Sequence, residues 1–134
     1  MHDNALAPQA TPSGYGPSDL RSAYNIASAA ASNGAGATVA VTELADNPNL
    51  ESDLATYRAQ YGLPVCTTAN GCFRKVNGSG QQDNYAAPDP GWGTEASLDI
   101  DRISAVCPLC HILVVESGNL DTAQNNQQWT PSPL

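Results

Sequence analysis

Two carboxylates four residues apart, Glu95 and Asp99, follow a tryptophan in the run Gly91-Trp92-Gly93-Thr94-Glu95-Ala96-Ser97-Leu98-Asp99. On a helix that spacing stacks them on one face. Like charge and burial drive the proton affinities of such a pair apart, so that one carboxyl can act as an acid where the other acts as a base. The helix is expected over residues 91–105, stopping before Pro108. Turned at about 100° per residue, it gathers Thr94, Ser97, Asp101 and Ser104 on what reads as the water side. Ala96, Leu98, Ile100, Ile103, Ala105 and Val106 fill the other side, with Trp92 among them. Glu95, Asp99 and Arg102 fall inside this apolar arc, where a solvated helix does not put charge. Two explanations are open: an internal ion pair with Arg102, or a coupled acid–base pair in a site.

The rest of the chain has to hold that helix in place. Residues 1–16 are rich in Pro, Gly, Ala and Ser and are expected to be extended or mobile. Pro17-Ser18-Asp19-Leu20 starts a helix with stripe Leu20, Ala23, Tyr24 and Ala27, closed by the run Asn33-Gly34-Ala35-Gly36. Residues 38–42 form a short buried strand, and Glu43 stands at its C-terminal end, the edge where sites form in open α/β sheets. Asp46-Asn47-Pro48-Asn49 is a turn; Asn49 caps a helix that reaches Tyr61, with Glu51 and Asp53 in its first turn, and Gly62 and Pro64 stop it. Strands are expected at residues 73–76 and 111–116, separated by a Gly-, Gln- and Pro-rich surface loop over 77–90 and by the helix of Glu95. The fold class is α/β: a layered domain with a parallel sheet, flanking helices and right-handed crossovers. After Gly118 no apolar period continues. The domain reading is a flexible segment 1–13, a body 14–118 and an irregular tail 119–134.

Composition excludes several partners. The 134 residues include 13 acidic and five basic side chains, a net charge of −8. That balance disfavours nucleic acid and an anionic membrane surface. No apolar run approaches the ~20 residues of a membrane span, and residues 1–11 lack the apolar stretch of a signal peptide. Four cysteines occur as two close pairs, Cys66/Cys72 and Cys107/Cys110. Two local disulfides are the expected reading. Zinc held by the four cysteines, with His111 alongside, and redox chemistry at Cys107-Pro108-Leu109-Cys110 are the alternatives.

Taken in order, these segments resemble the sedolisin-type serine-carboxyl peptidases. The run Gly14-Tyr15-Gly16-Pro17-Ser18-Asp19-Leu20-Arg21-Ser22-Ala23-Tyr24 resembles the start of the family's mature domain. The strand at 38–42 with Asp46-Asn47-Pro48 is similar to its next segment; Trp92, Glu95, Leu98 and Asp99 resemble its catalytic Glu-x-x-x-Asp motif; Ala105-Val106-Cys107-Pro108 leading into residues 111–116 resembles the strand that follows. The resemblance spans about residues 14–117 and implies a subtilisin-like fold, a secreted endopeptidase acting on protein or peptide substrates, and extracellular localisation. It implies Glu95 as the base that takes the proton of a nucleophilic serine, Asp99 as the group that holds and polarises Glu95, and Glu43 as an auxiliary acid. A glutamate base, with reference pKa about 4.3 against about 6.5 for histidine, stays competent in acid.

The chain departs from the family in what it lacks. No Gly-Thr-Ser stretch is present, and Ser13, Ser79 and Ser117, which have glycine neighbours, read as turn serines. The family's oxyanion aspartate, pro-segment and calcium site have no counterpart, so no nucleophile, metal or cofactor is assigned within these residues. The sequence reads as the N-terminal part of a catalytic domain, a truncated partial subtilisin-like fold with one sheet edge and one face uncovered, and it is expected to cleave nothing alone. The rival function is a small disulfide- or zinc-stabilised binding domain without catalysis.

Overall fold

The computed structural model describes residues 13–118. The expected flexible segment before them and the irregular tail 119–134 lie outside the described residues. Seven elements follow in order: α1 (Pro17–Ala23), α2 (Ala27–Ser32), β1 (Thr38–Leu44), α3 (Leu50–Gln60), β2 (Phe73–Asn77), α4 (Pro90–Val106) and β3 (His111–Ser117). The one helix expected over residues 17–32 is two, because Asn25 takes the left-handed conformation at φ 54° and turns the chain between them. Its expected stripe is therefore not a core face: Tyr24 is 72% exposed.

Local chemistry accounts for the other boundaries. Asp89 caps α4 by accepting the Gly91 and Trp92 N–H groups at 2.9 and 3.0 Å, and Pro90 opens the first turn. Asn49 occupies the N-cap position of α3 without a side-chain bond; Oδ1 of Asn47 accepts the Asn49 N–H at 3.0 Å instead. Gly62, at φ 62°, ends α3 as expected.

The sheet is parallel with order β1-β3-β2. Its core face packs Phe73, Ile112 and Val114 against Leu50 and Leu54 of α3 and Ala96 and Ile100 of α4, with Cys66 at the margin. On the opposite face Ala40 and Thr42 are exposed and Leu113 and Val115 half-buried. Both connecting helices thus lie on one face, while the chain steps outward from β1 to β2 and back inward to β3. Two lateral steps in opposite directions with helices on the same face have opposite hands. One crossover is left-handed, which corrects the expectation that both would be right-handed and is a rare arrangement in parallel sheets.

The four cysteines form Cys66–Cys72 and Cys107–Cys110, as expected, and no cysteine is free. With both pairs joined, none of the four cysteines stands as a thiolate that could hold zinc. Cys107–Cys110 closes the turn between α4 and β3, and Gly34 lies against it: a Cβ there would meet Cys107 Sγ at 2.5 Å. Cys66–Cys72 borders the core. Replacing both Cys66 and Cys72 by alanine is expected to lower unfolding free energy by about 2–3 kcal/mol in denaturant titration; a loss under about 0.5 kcal/mol would show that the crosslink does not constrain the unfolded chain.

Candidate active site

The carboxyl ends of the three strands carry a polar row. Glu43 on β1 pairs in register with Glu116 on β3, and Glu116 with Asn77 on β2. Alternation places Glu43 and Glu116 on the same face as Ile112 and Val114, under the helices. Glu43 is 5% exposed and Glu116 1% exposed. One oxygen of each, Glu43 Oε1 and Glu116 Oε2, is buried without a hydrogen-bond partner.

Helix α4 crosses this row and sets Asp99 within hydrogen-bonding reach of Glu43. Two carboxyls bond only if one carries a proton. Burial first, then Asp99, Glu95 and Glu116, push the Glu43 carboxyl up to about 7, so Glu43 holds its proton through the acid range. Asp99 is half-buried and Glu95 is exposed. The structure therefore brings Glu43 and Asp99 together, with Glu95 adding its charge from the rim. Arg102 is exposed, and among the described residues the ion pairs are those of Lys75, so the internal pair of Glu95 or Asp99 with Arg102 is not formed.

The expected faces of α4 are corrected as well. Ser104 is fully buried, whereas Leu98 is 45% and Val106 37% exposed. Thr94 is exposed, as expected, but Ser97, Asp101 and Ser104 do not form a water face; they turn toward α3. Ser97 Oγ donates to Asp53 Oδ2 at 3.1 Å, and Arg58 Nη1 donates to Ser104 Oγ at 3.0 Å. Between them Asp101 Oδ1 is buried without a partner. Burial and the nearby Asp53 carboxylate raise Asp101 to about 7, against a smaller opposing pull from Arg102.

A second set of groups completes the row from the other side. Ala45 takes φ 60° directly after β1, a costly conformation for alanine. The turn it makes lays Asp46 and Asn47 over the strand ends. The Asn47 N–H donates to Glu116 Oε1 at 3.0 Å, and its Nδ2 donates to Gly93 O at 2.9 Å and Ser97 Oγ at 3.1 Å. Lys75 Nζ donates to Asp46 Oδ1 at 2.6 Å and to Asn47 O at 3.1 Å, and it stands 3.4 Å from Glu116 Oε2, an ion-pair distance outside hydrogen-bond geometry. The Tyr85 ring covers the ammonium at 4.3 Å. Burial works against the Lys75 charge, but Asp46 and Glu116 outweigh it and hold its proton more tightly than usual. Burial raises Glu116 to about 7 despite the Asn47 N–H and Lys75, which pull the other way.

Glu116, Lys75, Asn47 and Asp46 were not singled out from the sequence as site residues. The available signal was parity: Glu116 alternates with Ile112 and Val114, and Lys75 with Phe73, so each is a charge on the inward side of a strand. An open cleft of about 450 Å³ lies nearby, lined by Asp46, Asn47, Asp53, Asp89, Gly93 and Ser97 among others; Glu43, Glu95 and Asp99 do not line it. Among the described residues no group of acidic, histidine or cysteine side chains is arranged to hold a metal ion. Comparison of the chain with protein-family models, with curated proteins and with solved structures finds no match.

Proposed function

We propose that residues 14–118 are the acid–base part of a secreted serine-carboxyl endopeptidase of the sedolisin type, built on a partial subtilisin-like fold and acting on protein or peptide substrates in acid. The observation that carries this reading is the Glu43–Asp99 contact, with Glu95 beside it, at the C-terminal edge of a parallel sheet. In the proposed reaction Glu95, as carboxylate, takes the proton from a serine hydroxyl while the serine oxygen bonds to the scissile carbonyl carbon. It returns that proton to the leaving amine as the C–N bond breaks. Asp99 accepts the hydrogen bond of protonated Glu95. Glu43, keeping its own proton, donates to Asp99. The exposed position of Glu95 suits a group that must meet a substrate and a nucleophile.

The 134 residues include no Gly-Thr-Ser run, so the nucleophile is not assigned within them. A base with no nucleophile forms no acyl intermediate, and the chain alone is expected to show only background cleavage from pH 3 to 7, equal to that of Glu95→Ala. The decisive test is transplantation. Residues 14–118 replace the corresponding segment of an active serine-carboxyl peptidase, and the chimera is assayed on an unfolded protein. Acid turnover that falls at least about 100-fold in Glu95→Ala supports the reading. A chimera that unfolds cooperatively, and so is folded, yet turns over nothing would overturn it.

A further inference from the structure

We propose that Lys75, acting through Glu116, is a positioning residue for the carboxyl pair: its ammonium favours negative charge on Glu116, and that charge adds to the burial of Glu43 in keeping a proton there. The proposal rests on the reading of Glu43, Asp99 and Glu95 as a site, but its test does not depend on catalysis.

The carboxyls form one chain. Glu95 and Asp99 on α4 face Glu43 on β1; Glu43 faces Glu116 in register on β3; Glu116 faces Lys75 on β2, with Asp46 and the Asn47 N–H from the β1–α3 turn and Tyr85 over the ammonium. Lys75 is the cation of this chain among the described residues. It sits at the inner end, 3.4 Å from Glu116. Glu95 sits at the outer end, exposed. A buried row of carboxyls cannot all ionise together, because each anion raises the cost of its neighbour. Where the one cation lies decides which ionises first. Glu116 has the Asn47 N–H and Lys75 beside it, although Asp46 is the closer partner of Lys75 at 2.6 Å; Glu43 has neither kind of support. The charge of Glu116 then opposes that of Glu43, whose Oε1 is buried with no donor of its own. The proton stays on Glu43 and is offered to Asp99. Without Lys75 the pattern should invert: Glu116 would hold its proton longer, and Glu43 would lose its own earlier.

The direct effect of Lys75 on Glu43 has the opposite sign. An ammonium stabilises any nearby anion, so removing it would raise the Glu43 titration midpoint if it acted directly. The relay therefore predicts a direction that a simple charge loss or a general loosening does not.

The experiment is carboxyl-carbon NMR titration of the full chain from pH 4 to 9, following Glu43, Asp99 and Glu116 in the wild type, Lys75→Met, Lys75→Arg and Glu116→Gln, each checked for cooperative unfolding. In Lys75→Met the Glu116 midpoint is expected to rise and the Glu43 midpoint to fall, each by about one pH unit, a tenfold change in proton affinity. Lys75→Arg is expected to stay within about 0.3 unit of wild type for both. Glu116→Gln is expected to lower the Glu43 midpoint by about one unit, and adding Lys75→Met to it should lower Glu43 no further, leaving only the upward direct effect. Glu43 moving upward in Lys75→Met, or not moving, would overturn the relay. Should Lys75→Met not fold, Glu116→Gln decides alone: an unmoved Glu43 midpoint is fatal. A null titration beside an active, Glu95-dependent chimera would sink the relay and leave the peptidase reading; the expected titration beside a silent chimera would do the reverse.

Discussion

Arg58→Ala is expected to lower the unfolding free energy by about 3–5 kcal/mol and the melting midpoint by roughly 10–20 °C. Arg58 is 2% exposed, yet no carboxylate partners it. Its guanidinium is shared among three neutral acceptors: Nε donates to Pro64 O, Nη1 to Ser104 Oγ at 3.0 Å and Nη2 to Pro108 O at 2.7 Å. Burial alone pulls its proton affinity below the usual guanidinium range, though such a group stays charged. Three parts of the chain hang on one side chain: the end of α3, the loop into Cys66, and the turn between α4 and β3. Alanine removes the charge but orphans all three acceptors and opens a cavity. Arg58→Lys is expected to recover less than half of the loss, because one ammonium on a shorter stem cannot span three directions. Urea titration at fixed pH measures both; a loss under about 1 kcal/mol for alanine would mean that water takes over the bonds.

Acidification is expected to stabilise the fold. Burial and neighbouring carboxylates raise Glu43 and Glu116 from 4.5 to about 7, and Asp101 from 3.8 to about 7. A carboxyl that binds its proton more tightly in the folded chain favours folding fully below its unfolded value, near pH 4, and loses that contribution as pH rises through 7. One such shift is worth about 3 kcal/mol between the limits. Because Glu43 and Glu116 repel each other and Asp101 is only half-buried, the total is taken as roughly 3–5 kcal/mol. Urea midpoints at pH 5 and pH 8 should differ accordingly, the acid one higher. Asp101→Asn, which removes a charge at the α3–α4 contact without changing shape, should flatten part of the dependence and raise stability at pH 8. Equal midpoints at the two pH values would mean that these carboxyls are hydrated in solution.

Much of the fold was legible in the sequence because its signals are local. Pro90 after Asp89, Gly62 after α3 and the β-branched runs at 38–42 and 111–116 each act within a few residues. Asp99 and Glu43 were legible through the same periodicity, as an inward helix position and a strand end, whereas Glu95, expected in the apolar arc beside Asp99, is exposed. The partner of α4's polar face was not legible. A helical wheel separates polar from apolar residues, but it cannot tell water from a second polar helix. Ser97, Asp101 and Ser104 meet Asp53, Tyr57 and Arg58 because α3 and α4 share one side of the sheet, and that depends on strand order. Lys75 was hidden for a similar reason. A lysine in a five-residue strand reads as an edge residue facing water until the neighbouring strand and turn bring Glu116 and Asp46 to it.

The strand order also bears on vectorial synthesis. In β1-β3-β2 the two described strands that are made earlier never pair with each other; each bonds only to β3, the last element of the described body. A nascent chain halted before His111 lacks β3, and with it both sheet ladders of the described body. Glu43 then has no Glu116 beside it, and Asp46, Asn47 and Tyr85 are the partners left to Lys75. Both ladders and the carboxyl row depend on β3, which lies between the other two strands, so neither can close before it is present. The hydrogen-bonded sheet and the proton-sharing cluster are thus born together, and a cell's quality control would meet either both or neither.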